Sequence, residues 1–215
     1  MAKALRFMLW VVGGFIVLCV IARLLLFESW VLPDYETEPF LATSIEPSLS
    51  GGDTVLVLTR GTPGFGDLVR CPDPEDAGRW IIGRIAGEEG DTVEVSGRSL
   101  QVNNKRYNAS DACTEPYFYV KHPDSGTELE MQCARIDMGS GWHYRGTARK
   151  HKKLNNKRKQ VGTGMVFLLS DNRDLHDDSR DFGTLPAESC KERIVFRLWG
   201  ADGFGDSKRR FTVIR

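Results

Sequence analysis

The chain has 215 residues, of which 41% are hydrophobic, with 29 Lys and Arg set against 29 Asp and Glu. After an apolar N-terminal segment, roughly 180 residues remain, enough for one domain with its own core and too few for two large ones. The balanced charge gives no basis for nucleic acid as a partner of the whole chain.

No charged residue lies between Phe7 and Ala22, and after Arg23 the apolar stretch resumes as Leu24 to Phe27. About 21 such residues at ~1.5 Å each match a hydrocarbon core of about 30 Å. The segment ends in Leu-Leu-Leu-Phe-Glu-Ser-Trp30, without the small residues of a signal-cleavage site, which predicts a retained anchor. Lys3 and Arg6 precede it, and Glu28, Asp34, Glu36 and Glu38 follow. The positive-inside bias then predicts residues 1–6 in the cytoplasm, a transmembrane helix over 7–27, a membrane-proximal linker over 28–43 and an extracytoplasmic domain over 44–215.

Beyond Pro33, short apolar runs alternate with glycine turns: Thr54–Leu58, Asp67–Arg70, Trp80–Ile82, Thr92–Val95, Leu100–Val102, Tyr117–Val120, Met165–Leu169 and Arg193–Trp199. Period-two placement of Val, Ile and aromatic residues predicts a mainly β domain, and no segment after residue 33 has a sustained helical period. Residues from about 104 to 162 hold most of the polar material. Within them, eight of the fifteen residues from Arg145 to Lys159 are Lys or Arg. This run reads as a solvated loop, or as a strip drawn to anionic headgroups at ~1 kcal/mol per basic residue.

Five cysteines are present, with Cys19 in the apolar segment and Cys71, Cys113, Cys133 and Cys190 in the domain. Four cysteines in an exported domain allow three pairings. Cys113 with Cys133 and Cys71 with Cys190 is the favoured one, and free buried thiols are the alternative. No Cys-x-x-Cys spacing or other ligand spacing implies a metal, and no cofactor site is legible.

Three short blocks carry the chemistry. The first is Ser44-Ile-Glu-Pro-Ser-Leu-Ser-Gly-Gly-Asp53, the second Trp80-Ile-Ile-Gly-Arg-Ile-Ala-Gly-Glu-Glu-Gly-Asp91, and the third Ser170-Asp-Asn-Arg-Asp-Leu-His-Asp-Asp-Ser-Arg-Asp-Phe-Gly183. In this order, behind one apolar segment, they resemble the bacterial type I signal peptidases. The likeness covers roughly residues 23–33, 44–103 and 164–200. It implies a coiled β domain with an inserted variable region over about 104–162, held by one helix in the bacterial plasma membrane. It also implies a serine endopeptidase that removes signal peptides from exported precursors through an acyl-enzyme. Its partners would be those precursors and the lipid bilayer, with no cofactor.

By the same resemblance Ser44 is the candidate nucleophile, and Pro47 stiffens the backbone that presents it. The family activates this serine with a neutral lysine, and Gly83 stands at that position. Arg84 follows, but a guanidinium stays protonated and cannot act as a base. The last block has His176 where the family has a serine that contacts the lysine. Imidazole titrates near neutrality, so His176 is the candidate general base, oriented by Asp178 or Asp177. Ala42 replaces a serine that in many members helps bind the oxyanion. Ile81 and Ile82 would pair with an extended substrate. Asp171, Asn172, Arg173, Asp174, Ser179, Arg180 and Gly183 are expected to tie the loop beneath the site. His122, His143 and His151 fall in the variable region and are expected at the surface. A noncatalytic relative that binds peptides or assembly partners is the alternative reading, and Gly83 is its supporting feature.

Overall fold

The computed structural model describes residues 2–148 and 157–214. Helix α1 (Ala2–Leu26) is continuous, and its apolar side chains, Phe7, Trp10, Phe15 and Leu18 among them, stand exposed. Among the described residues no helix is long and apolar enough to cross a membrane. The expected linker after it is instead structured. Strand β1 (Phe27–Val31) starts directly at the helix end, and α2 (Pro39–Ser44) is a helix of 6 residues, too short to show a sustained period.

The chain continues through β2 (Thr54–Leu58), β3 (Leu68–Pro72), β4 (Trp80–Gly87), β5 (Thr92–Ser96), β6 (Ser99–Val102) and β7 (Lys105–Tyr107). Three long strands follow in the variable region: β8 (Ala109–Lys121), β9 (Glu128–Met138) and β10 (Gly141–Ala148). The remaining strands are β11 (Lys157–Gln160), β12 (Met165–Leu169), β13 (Leu185–Pro186), β14 (Glu192–Trp199) and β15 (Thr212–Val213). The domain is mainly β, as the alternating runs predict. Its main sheet runs in the order β1-β2-β14-β3-β4-β12-β13, with β15 beside β14, and every pairing is antiparallel. A four-stranded sheet, β11-β5-β6-β7, and a three-stranded sheet, β10-β9-β8, complete it.

Alternation along the strands assigns the cores. On one face of the main sheet Val55, Val57, Leu68, Ile82 and Ile194 meet Leu41, Ile45 and Leu49, so α2 and the turn after it are fastened to the sheet by apolar burial. On the other face Val69, Ile81, Ile85, Val166 and Leu168 pack with Cys71 and Cys190. Cys71 is bonded to Cys190 and Cys113 to Cys133, the favoured pairing. The second bond joins β8 to β9 inside the inserted sheet. The basic run is not simply a solvated loop, because Arg145 lies buried in β10 and Lys157–Gln160 pairs with β5. Residues 149–156, including His151, lie outside the described residues.

Candidate active site

Ser44 ends α2 and is fully buried, and its Oγ donates to the carbonyl of Leu41 at 3.0 Å. Asn172 joins this residue to the last block. Its backbone N–H donates to the Ser44 carbonyl and its Nδ2 to the Thr43 carbonyl, each at 3.0 Å. The first and third blocks, far apart in sequence, therefore meet through one side chain and one amide.

Two buried ion pairs hold the third block. Arg84 of β4 grips Asp171 with Nε at 2.8 Å and Nη2 at 3.1 Å, and it donates Nη1 to the Gly66 carbonyl. Arg180 grips Asp178 with Nε at 2.9 Å and Nη2 at 2.7 Å, while the Ser170 N–H donates to the same carboxylate at 2.8 Å. Burial pushes the Asp178 carboxyl up, but Arg180 and these hydrogen bonds outweigh it and leave it well below the usual carboxylate range. Ser179 Oγ accepts from the Leu168 N–H at 2.9 Å, which fastens the loop to β12.

His176 is placed differently from the expected dyad. Its Nδ1 is 2.7 Å from Asp181 Oδ2, and no hydrogen bond joins it to Ser44 or to Asp178. The Asp178 oxygens accept from Arg180 and from the backbone amides of Ser170 and Arg180, and the imidazole contacts Asp181 instead of Asp178 or Asp177. Burial, with Asp73 nearby, pushes Asp177 up to about 6. The ligand atoms of His176, Asp178 and Asp181 lie within 4.8 Å of one another. The Arg180 guanidinium pairs with the buried member of this group.

Ile81 and Ile82 are buried on opposite faces of β4. Strand β3 pairs with Trp80–Arg84 on one side, while β12 pairs only from Arg84 to Gly87 on the other. Trp80 to Gly83 therefore keep one backbone edge that no described strand pairs. Gly83 faces β12, and a Cβ there would lie 3.1 Å from Leu168 Cβ. Ala42 lines a cavity of about 220 Å³ together with Thr43, Glu46, Tyr35 and Tyr119.

Two groups were missed. Burial pushes Glu46 up to about 7, against a hydrogen bond from Ser50 and the pull of Arg209. His143, expected at the surface, is buried: its Nε2 has no hydrogen-bond partner and lies 3.5 Å from Asp171 Oδ1. Strand β10 buries His143, Arg145 and Thr147 at alternate positions. No apolar periodicity marks a strand whose inward residues are polar, so no signal in the sequence gave His143 away.

Among known proteins, the chain is 27% identical over 166 residues to "Signal peptidase I" of Streptococcus pneumoniae serotype 4, covering 73% of this chain and 78% of that protein. It is 26% identical over 178 residues to "Signal peptidase IB" of Staphylococcus aureus strain Mu50, covering 79% and 78%. A solved signal peptidase I from Enterococcus faecalis aligns with a TM-score of 0.41 at 19% identity, over 63% of this chain and 98% of that one. The family model described as "Signal peptidase, peptidase S26" matches residues 6–199, most of the chain, and the chain belongs to that family.

Proposed function

We propose that this chain is a membrane-anchored serine endopeptidase acting on signal-peptide-bearing precursors, with Ser44 as nucleophile. The observation that carries the reading is the hydrogen-bonded frame around Ser44. Asn172 ties the Ser44 carbonyl to the third block, and the Arg84–Asp171 and Arg180–Asp178 pairs hold that block. Such a frame fixes a nucleophile against the groups that must act on it.

In this reading Ser44 Oγ leaves the Leu41 carbonyl and attacks the scissile carbonyl while passing its proton to His176. His176 then delivers that proton to the departing amine, and water releases the acyl-enzyme by the same path in reverse. Asp181 orients the imidazole through Nδ1, leaving Nε2 to carry the proton. The substrate lies extended along the unpaired edge of Trp80 to Gly83, beside Ile81 and Ile82, with the Ala42 cavity next to it. Attachment to the bacterial plasma membrane with the N-terminus inside rests, in this reading, on the sequence pattern of an uncharged run from Phe7 to Ala22 with Lys3 and Arg6 before it, since no helix among the described residues is long and apolar enough to cross.

A second reading is a peptide-binding relative without catalysis. It is favoured by Gly83 and by the Ser44 hydroxyl resting on Leu41 with no hydrogen bond to a base among the described residues. The test is cleavage of a precursor with Ala-x-Ala before the cut, in detergent, by the wild type, Ser44→Ala and His176→Ala between about pH 5 and 9. Loss of cleavage in both variants supports the proposal. Full activity in His176→Ala with none in Ser44→Ala removes His176 as base, and no wild-type cleavage on several precursors favours the binding reading.

A further inference from the structure

Strand β10 pairs with β9 along its whole length, and its other edge binds the loop that carries the third block. The Gly146 N–H donates to the Asp171 carbonyl at 2.9 Å, and the Arg173 N–H donates to the Gly146 carbonyl at 2.8 Å. Gly146 thus brackets Asn172, the residue whose own amide holds the Ser44 carbonyl. The Ala148 N–H adds a bond to Asp174 Oδ2 at 2.6 Å, and Ser48 Oγ donates to the Tyr144 carbonyl at 3.2 Å. The approach at Gly146 is close: a Cβ would lie 2.8 Å from Phe118 Cζ and 3.3 Å from the Glu46 carbonyl oxygen, so a side chain there would push on that ring.

His143, three residues earlier on the same strand, leans on the Arg84–Asp171 pair. Its surroundings are cationic from several sides: Arg84 from β4, Arg173 from the loop and Arg145 from β10 itself. Arg197 of β14 stands on the wall of the same cavity of about 320 Å³, and Asp171 is the carboxylate in reach. Burial first, then these guanidinium groups, hold the imidazole well below its usual range, so it is neutral at neutral pH. It is not a substitute for a base at Gly83. Consecutive side chains on a strand leave opposite faces, and His143 sits with Arg84, on the face away from a side chain at 83.

Resting on the peptidase reading above, we infer that His143 is a positioning residue. It braces Asp171, so that β10 sets Asn172 against Ser44, and its protonation releases that clamp. A positive imidazole among three guanidinium groups has as counter-charge only the Asp171 carboxylate, which Arg84 already grips in a bidentate pair, so it is left under-compensated and β10 must move away to give it water. Because the folded protein disfavours the charged form, the bracing is complete above about pH 6.5 and is lost as the pH falls below it.

The experiment uses the full chain in detergent, as wild type and as His143→Gln, which stays neutral at every pH. Amide hydrogen exchange is followed by mass spectrometry over segments 142–148 and 170–176 at about pH 7.5 and about pH 5.5, corrected for intrinsic rates, with β2 as reference. The expected result is roughly tenfold or greater loss of protection in both segments on acidification of the wild type, none in β2, and none in either segment of His143→Gln. Unchanged wild-type protection, or the same loss in His143→Gln, overturns the inference. The wild-type comparison stands even if the variant does not fold, and His143→Asn serves as a second neutral variant. If precursor is cleaved, kcat falls on the acid side with KM little changed, and His143→Gln removes that fall. A protein that cleaves nothing sinks the peptidase reading, and the exchange measurement still decides the clamp.

Discussion

The backbone amide of Asn172 donates to the carbonyl of Ser44 at 3.0 Å, and this bond helps join the two blocks of sequence on which the proposed chemistry depends. The Asn172 side chain strengthens the joint by reaching the Thr43 carbonyl and by accepting from the Leu175 N–H at 3.0 Å. Truncation to Ala leaves these buried groups unpaired, at about 1–3 kcal/mol. Asn172→Ala is expected to lower the midpoint of denaturant unfolding and to cut precursor cleavage more than substrate binding. Cleavage at the wild-type rate in this variant would show that the joint has no part in the reaction.

Asp178 is buried against Arg180, and removing one partner of such a pair costs about 3–5 kcal/mol because a bare charge remains inside. Its folded carboxyl binds a proton less readily than the usual 3.8. The stability it contributes is therefore present above about pH 4 and lost as the pH falls below. Asp178→Asn should be less stable at neutral pH and should lose less stability than the wild type on acidification. Equilibrium unfolding at several pH values measures both.

Glu46 has the opposite sign. Its proton is held up to about 7 in the folded chain, against 4.5 ordinarily, so between these values the folded state binds more protons than the unfolded one. Stability from this group falls as the pH rises through that window. Glu46→Gln should flatten the fall, and a thermal-unfolding series from acid to neutral pH reads it directly. Identical slopes in wild type and variant would refute the assignment.

Gly83 offers little room. A Cβ there would lie 3.1 Å from Leu168 Cβ and 3.5 Å from the Leu169 amide nitrogen. Gly83→Ala therefore forces β12 to yield by a few tenths of an ångström, with an expected cost of about 1 kcal/mol. Gly83→Lys would carry the same strain and add a chain toward β12. Under the binding reading it is expected to leave the protein inert, and if cleavage appears only in this variant, the loss of the lysine is what silences the chain.

Alternating Val, Ile and aromatic residues made the strands of the main sheet legible, because one face of each packs into a core and the period of two follows from that burial. Met165–Leu169 and Thr54–Leu58 coincide with the predicted runs. The blocks around Ser44, Arg84 and Asp171 were legible as motifs, since backbone turns and paired charges demand particular residue types. Local order thus determined the β class, the cysteine pairing it favoured and the membership of the three blocks. Tertiary structure decided what the side chains touch. Asp178 closes on Arg180 two residues away, leaving Asp181 for His176, and polar β10 carries His143 inward because its partners come from strands and loops distant in the chain. The physical reason is that a buried polar group is placed by the groups that satisfy or surround it, and those are set by long-range pairing, which leaves no period in the sequence.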